Sequence, residues 1–461
     1  MRTMIVLFLS LVIVSPSALA ETLEERIKLL EGDIKRQEEM LKNQQKSLDE
    51  LKEQSKQPKP AEPPPGAPLP TRDYRLDDRS RAFYLSTTSP LTPYPLTQQT
   101  SPSLLNPAIS FILDTFYYHS SLSKDELATR NIPGFIKAPE PLREGFNLRS
   151  LEFLIFAPVD PYFNLYIRIP FTEDKVELEE AYFVTTSLPV GVQIKGGKFR
   201  SGFGRFNAFH PHTWDFVDAP LPYTLFFGNE GLIEKGVQLT YLPNLPIYVL
   251  FGAEVLQGEN ELLFGAEAQS GPHAYAGFAK ASLDFGTNHT ILFGGSVIGG
   301  KAKTDSFAQN TEFRGDAILY GAEFTYKWKP SSETSFILQS EYLYRDQKGD
   351  LFDSASLTTD PFKRAQDGLY IYGIYQFERW RIGARYDRMD IFKDEVIQAG
   401  EKRNFAGQPY RWTGSLEFNP TEFSRIRLQY NYDKSAGAEK ENHEIFLQFI
   451  LAVGANVAHS F

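Results

Sequence analysis

Between Arg425 and Asp433 the chain alternates strictly, with Ile426, Leu428, Tyr430 and Tyr432 at one parity and Arg425, Arg427, Gln429, Asn431 and Asp433 at the other. A period of two puts the apolar set on one face of an extended strand and the polar set on the other, and a one-residue slip would exchange them. The same pattern sets Tyr320, Ala322, Phe324, Tyr326 and Trp328 against Glu323, Thr325 and Lys327, and Trp380, Ile382, Ala384 and Tyr386 against Arg379, Arg381, Arg385 and Asp387. From about Asn106 such segments recur between turns rich in Gly, Pro, Asn and Asp, which predicts an all-β meander. Strands are expected over 108–118, 146–157, 162–172, 175–186, 190–200, 234–242, 245–257, 272–284, 288–299, 318–329, 332–345, 367–378, 379–389, 410–419, 423–432 and 441–451, sixteen in all. Short turns such as Pro330-Ser331 and Asn419-Pro420-Thr421 separate longer connections at 201–233, 346–366 and 390–409.

Alternation alone does not say whether the apolar face meets lipid or a second sheet, as in a sandwich or propeller. Three features favour lipid. Strands of ten or more residues suit a tilted crossing of the bilayer. Aromatic residues crowd the strand ends, at Trp328, Tyr342, Tyr344, Trp380 and Trp412, where membrane barrels carry their girdles. The chain closes with a strand and a terminal Phe461, an ending that resembles the signal read by the barrel-assembly machinery. The expected fold is an all-β transmembrane barrel of about sixteen antiparallel strands over 104–461.

The residues ahead of it follow other periods. Arg2, the apolar run Met4 to Val14 and Ala18-Leu19-Ala20 read as a secretory signal over 1–20, because so short a run cannot span roughly 30 Å of hydrocarbon as a helix. Ile27, Ile34, Leu41 and Leu48 occupy one heptad position and Leu23, Leu30 and Leu51 the other, with Gln37 and Gln44 completing the seam. This predicts a periplasmic α-helical coiled coil within 21–56, about 45 Å long, that self-associates, a trimer being one arrangement. Seven prolines between Gln57 and Pro70 make an extended spacer, the start of a linker and connector over 57–103.

Composition narrows the function. Mean hydropathy is −0.32, and no run after the signal is long and apolar enough for a membrane helix, so a spanning chain must be a barrel. The absence of cysteine excludes a lipoprotein anchor, a disulfide scaffold and thiolate metal sites. A net charge of −10 argues against nucleic acid. No nucleophile elbow, metalloprotease helix or phosphate loop occurs, so an enzyme is not expected. With seven histidines in 461 residues, one block stands out, from Ser201 to Tyr223. His210, His212, Asp215 and Asp218 are residue types that zinc accepts, and a loop could converge them. Equally, a long loop folded into the lumen would narrow a pore, with Arg205, Asn207 and Trp214 as constriction candidates. Arg379, Arg381, Arg385, Arg425 and Arg427 form the strongest single-sign strip at lumen-facing positions, which would favour anions.

Leu105-Asn106-Pro107-Ala108-Ile109-Ser110, Ile132-Pro133-Gly134-Phe135 followed by Glu144-Gly145-Phe146, Val176 to Tyr182, the His210 to Tyr223 block, Gly236-Val237-Gln238-Leu239 and the ending Gly454 to Phe461 together resemble bacterial outer-membrane proteins labelled zinc-regulated TonB-dependent outer-membrane receptors. The resemblance implies an outer-membrane location and zinc-related uptake. A coiled coil ahead of a barrel also resembles certain phosphate-selective and envelope-tethering porins, in which the helices trimerise and reach toward the cell wall. The residues themselves point to a porin-like channel passing small polar or ionic solutes. A zinc-linked receptor and an envelope tether are the alternatives.

Overall fold

The computed structural model describes residues 107–454, apart from 131, 136–141, 266–269, 306–310, 406 and 436–439, together with Lys42. The expected signal peptide, proline-rich linker and terminal Phe461 lie outside the described residues, as does the expected coiled coil save for Lys42. Two compact units divide the chain, Met1–Asp73 and Tyr74–Phe461, and the second holds the barrel. No helix among the described residues is long and apolar enough to cross a membrane.

Alternating segments become strands in the predicted order: β1 (Ala108–Ser120), β2 (Gly145–Pro158), β3 (Phe163–Phe171), β4 (Glu180–Thr185), β5 (Val192–Arg200), β6 (Ile233–Tyr241), β7 (Tyr248–Leu256), β8 (Ala274–Phe285), β9 (His289–Asp305), β10 (Thr311–Trp328), β11 (Thr334–Asp353), β12 (Thr358–Phe377), β13 (Trp380–Gln398), β14 (Glu401–Asn404), β15 (Tyr410–Thr421), β16 (Ser424–Asp433) and β17 (Asn442–Gly454). Each strand runs antiparallel to its neighbours, and β1 pairs with β2 on one side and with β17, from Ser110↔Gly454 to Ser120↔Glu444, on the other. The sheet is therefore a closed ring. The four-residue β14 pairs with β13 alone, while β13 pairs directly with β15 from Trp380↔Phe418 to Arg388↔Tyr410. Sixteen of the seventeen strands thus form the wall, as the alternation predicts.

Burial is inverted relative to a water-soluble protein. On β16, Arg427, Gln429 and Asn431 are fully buried, whereas Leu428 is 50% exposed and Tyr430 45%. The side that water-soluble proteins hide faces outward here, an apolar exterior that belongs against lipid. Aromatic pairs mark both ends of the outer surface: Trp380 packs on Phe418 beside the short turns, and Tyr410 packs near Tyr386 and Tyr432 toward the long loops. One end of the barrel is closed by short connections, such as 286–288, 378–379 and 422–423, and the other carries 121–144, 201–232 and 257–273.

Two expected loops are strands instead. Residues 346–366 form a hairpin in which Asp346 pairs with Ala365 and Asp350 with Pro361, and most of 390–409 is the β13–β14 ribbon, from Glu395↔Asn404 to Gln398↔Glu401. Both extend the wall past the apolar band, where no lipid-facing apolar set is needed, although Leu351, Phe362 and Val396 join the interior cluster. At β4 the regular ladder is shorter than expected: after the turn at 172–175, residues 176–179 keep only an isolated bridge, Phe171↔Val176, and single bonds from Glu177 and Glu179 to β3 before the strand begins at Glu180.

A charge placed mid-strand on the outer face tests this orientation. Leu428→Arg is expected to cost about 2–4 kcal/mol of stability in lipid vesicles, measured by reversible urea unfolding. A neutral result would place that face away from hydrocarbon.

Candidate functional site: a lumen spanned by its own loop

A ring of sixteen strands encloses more space than its inward side chains fill. The connection between β5 and β6, residues 201–232, folds into that space. Its entry is built for a sharp turn: Gly204 has φ +62° and a Cβ there would come within 2.5 Å of Glu341 Oε2. Two 3-10 turns, Phe206–Ala208 and Pro211–Thr213, and one short helix, α1 (Leu221–Phe227), follow. Asn207 ties the ends of the loop together, donating from Nδ2 to the carbonyls of Ser201 and Leu232 and accepting at Oδ1 from Leu232 N–H and the Tyr223 hydroxyl. Phe206, Trp214, Tyr223, Phe226 and Phe227 then pack with wall residues such as Phe199, Leu343 and Tyr370 into one apolar cluster inside the barrel. At Gly321, on the inward parity of β10, a Cβ would come within 2.9 Å of the Phe203 ring, so the wall is cut back where the loop leans on it.

Wall arginines grip the far part of the loop. Asp218 accepts from Arg385 at 2.9 Å and is ion-paired with Arg411 at 2.9 Å, with Gln429 at 2.7 Å and Asn431 at 3.0 Å completing its shell. Asp215 accepts from Arg381 at 2.5 Å and from the Tyr372 hydroxyl at 2.9 Å. Burial raises both carboxyls, but the neighbouring guanidiniums win and hold them below the usual carboxylate range. Arginines also take loop carbonyls: Arg427 and Arg425 donate to Trp214 O, Arg411 to Ala219 O and Arg149 to Val217 O.

These contacts correct the expected anion strip. Arg381, Arg385, Arg425 and Arg427 do line the lumen, yet Glu417 bridges Arg381, Arg425 and Arg427, and Asp218 and Asp387 neutralise Arg385. Arg379 is exposed in the β12–β13 turn; parity alone does not reveal where a strand ends. Glu417 and Asp387, which decide the electrostatics, stand on the inward parity of their own strands, a signal the sequence does carry.

The expected zinc quartet does not assemble. Asp215 and Asp218 are taken by arginines, His210 Nε2 lies 2.8 Å from Glu180 and His212 Nδ1 lies 3.0 Å from Glu152. Arg168 joins both glutamates, and the two imidazoles stack with centroids 5.9 Å apart. No group of three or more His, Cys, Asp or Glu suited to a metal occurs among the described residues. Burial first, then the Arg168 charge, pushes both imidazoles well below their ordinary value, so they are neutral.

Arg205, Asn207 and Trp214 lie within the packing of the loop: Arg205 donates to Gln339 and stacks over Phe209, and Trp214 donates to Phe209 O. Asn229 and Glu230 of the loop are exposed, and in its 208–218 part Ala208, Phe209, His210, Pro211, Thr213, Asp215 and Asp218 are half-buried, as are Arg149 and Arg168 of the wall.

The geometry defines a transmembrane β-barrel whose lumen is crossed by one inward-folded loop. No family model matches the chain. It belongs to the same family as a protein of Aquifex aeolicus (strain VF5), described as an uncharacterized protein, with 41% identity over 380 residues that span 77% of this chain and 80% of that one. Solved structures similar to it include the loop L8 deletion mutant of OmpT, an outer membrane protein of Vibrio cholerae, with 12% identity, 76% of this chain and 99% of that chain covered and a TM-score of 0.48. The outer membrane channel DcaP of Acinetobacter baumannii matches at 11% identity, covering 76% and 96%, with a TM-score of 0.44. OprB of Pseudomonas putida matches at 10% identity, covering 76% and 94%, with a TM-score of 0.42.

Two outcomes follow from the grip on the loop. Asp218→Ala strips a buried partner from Arg385 and Arg411 and is expected to lower the free energy of loop opening by roughly 3 kcal/mol, so amide hydrogen exchange over 213–219 should quicken about a hundredfold. Unchanged exchange would show that the ion pairs do not hold the loop. The neutral histidines lose their stabilising effect on acidification, as the Asp–Arg pairs do, but nearer neutrality. Their folded values lie below the free value of about 6.5, so the released loop binds protons more readily, and the stabilisation is complete above that pH and lost as pH falls below it. Exchange over 206–214 should therefore rise on acidification, and His210→Gln with His212→Gln should flatten the dependence.

Proposed function

We propose that this protein is an outer-membrane porin-like channel that lets small polar or ionic solutes pass without an energy source, with its lumen narrowed by the loop 201–232. The observation that carries the reading is the inverted wall, apolar outside and polar inside, around a loop that keeps a polar, water-touched edge. The unequal ends support the same orientation, short turns toward the periplasm and long loops outward. The channel has no catalytic role in this reading. Barrel-assembly machinery acting through Phe461, and self-association through a periplasmic coiled coil that reaches toward the cell wall, complete the proposal. Zinc-linked uptake has less support, since it rests on the resemblance while the four candidate ligands point to four different partners.

Conductance in planar bilayers tests the channel. The full-length protein should insert and give discrete steps, and deleting 206–217 with a short Gly linker should enlarge them by roughly a factor of two or more, because the loop occupies a lumen that sixteen strands leave wide. Protein that inserts and never conducts, with or without the loop, would remove the reading. Calorimetry with zinc on the wild type and on a variant carrying His210→Ala and His212→Ala addresses the alternative.

A further inference from the structure

The lumen arginines of β13, β15 and β16 are balanced, meeting carboxylates or loop carbonyls. The outer part of β11 and β12 is different. Arg345 and Gln366 face each other across the two strands, and Gln347 and Arg364 form the next such pair; all four side chains are buried. Gln366 Oε1 accepts from Arg345, and Gln347 Oε1 accepts from Arg364 Nε at 2.6 Å. Because a guanidinium can only donate, each amide must present its oxygen to the arginine and turn its NH2 away. Those two Nε2 groups and Arg345 Nε are buried and meet no acceptor among the described residues. Every unmet atom on these four side chains is a donor.

The charge balance points the same way. Arg345 is held between the rings of Phe135 and Phe226, 5.1 Å from each centroid, and makes no ion pair among the described residues, while the Gly134 carbonyl takes one Arg364 donor at 3.2 Å. The two arginines repel each other. Asp390, whose own carboxyl burial and the neighbouring Asp394 and Asp367 push up to about 8, is the one carboxylate felt by Arg345. Buried donors without acceptors are costly and rare in folded proteins, and a set that consists of donors alone selects an acceptor.

We propose that Arg345, Arg364, Gln347 and Gln366 form a binding station for a small oxyanion, a carboxylate or a phosphate, at the outer mouth of the barrel beneath Gly134 and Phe135. This deepens the channel reading by naming a solute class, and it rests on that reading only for its part in transport. Full-length protein in detergent, titrated calorimetrically with inorganic phosphate and separately with acetate, should bind at least one of them, and the stronger of the two identifies the source. Arg345→Gln should weaken binding at least tenfold, as should Gln347→Leu, which keeps both arginines should the first variant not fold, while the exposed Lys235→Gln should bind as the wild type does. No binding by the wild type, or equal binding by all variants as an adventitious ion would show, overturns the station. Conductance without anion binding removes the station and leaves the channel. Anion binding without conductance does the reverse.

Discussion

In hydrocarbon an unpaired backbone N–H or C=O has no water to turn to, so a sheet can span a membrane only if its two edges meet. Here that requirement is met by β1, whose pairing with β17 leaves no free edge among the wall strands. The rest follows from closure. Once sixteen strands must form a ring, the diameter is set, and it exceeds what wall side chains can fill. The protein then has a lumen whether or not its inner surface is well packed, and the inner surface must be stabilised by something other than the usual apolar core. Loop 201–232 supplies part of this, bringing its aromatic residues to one side of the wall.

The charged remainder of the lumen is organised by arginine. Its planar fork can hold a carboxylate and a carbonyl at once and loses little freedom in doing so. Arg427 shows the use: Glu417 takes its Nε and Nη2, and Nη2 also reaches Trp214 O. A buried pair of this kind adds little net stability against an apolar alternative, yet removing one partner is strongly destabilising. The clamp therefore specifies where the loop lies more than it strengthens the barrel. The loop is also one-sided. Its aromatic side is sealed against the wall, whereas His210, Thr213, Asp215 and Asp218 keep contact with water near Arg149 and Arg168.

How much of this the sequence discloses depends on which forces act on each segment. The wall strands are legible because lipid and lumen impose opposite demands at alternate positions, and at Arg425 to Asp433 nothing else competes. Beyond the lipid that double demand ends. Asp346, Lys348 and Asp350 look like loop residues although they are strand, because outside the apolar band pairing is decided by the backbone and by the partner strand. Loop chemistry is less legible still. His210, His212, Asp215 and Asp218 have the right donor atoms for a metal, but the same atoms satisfy arginine, and only the register of β13, β15 and β16 shows that Arg381, Arg385 and Arg411 arrive first. Arg345 and Arg364 escape a sequence reading for the converse reason: in the polar extension their charges look like those of a solvated hairpin, whereas Arg345 is covered by Phe135 and Phe226 from two distant loops and Arg364 donates to the Gly134 carbonyl of one of them.

That last dependence bears on how a solute would meet the barrel. Phe135 belongs to the β1–β2 connection and Phe226 to α1, and their rings lie 5.7 Å apart over the β11–β12 wall. Two loops that start far apart on the rim therefore converge on the same arginine. The grip on loop 201–232 and the cover over Arg345 are one structure, since α1 is continuous with the segment that Asp218 anchors. A change at the anchor would reach the mouth through the chain itself, without any further coupling element, because Asp218 is only three residues from the start of α1. The electrostatics at the anchor thus bear on the surroundings of Arg345 at the mouth.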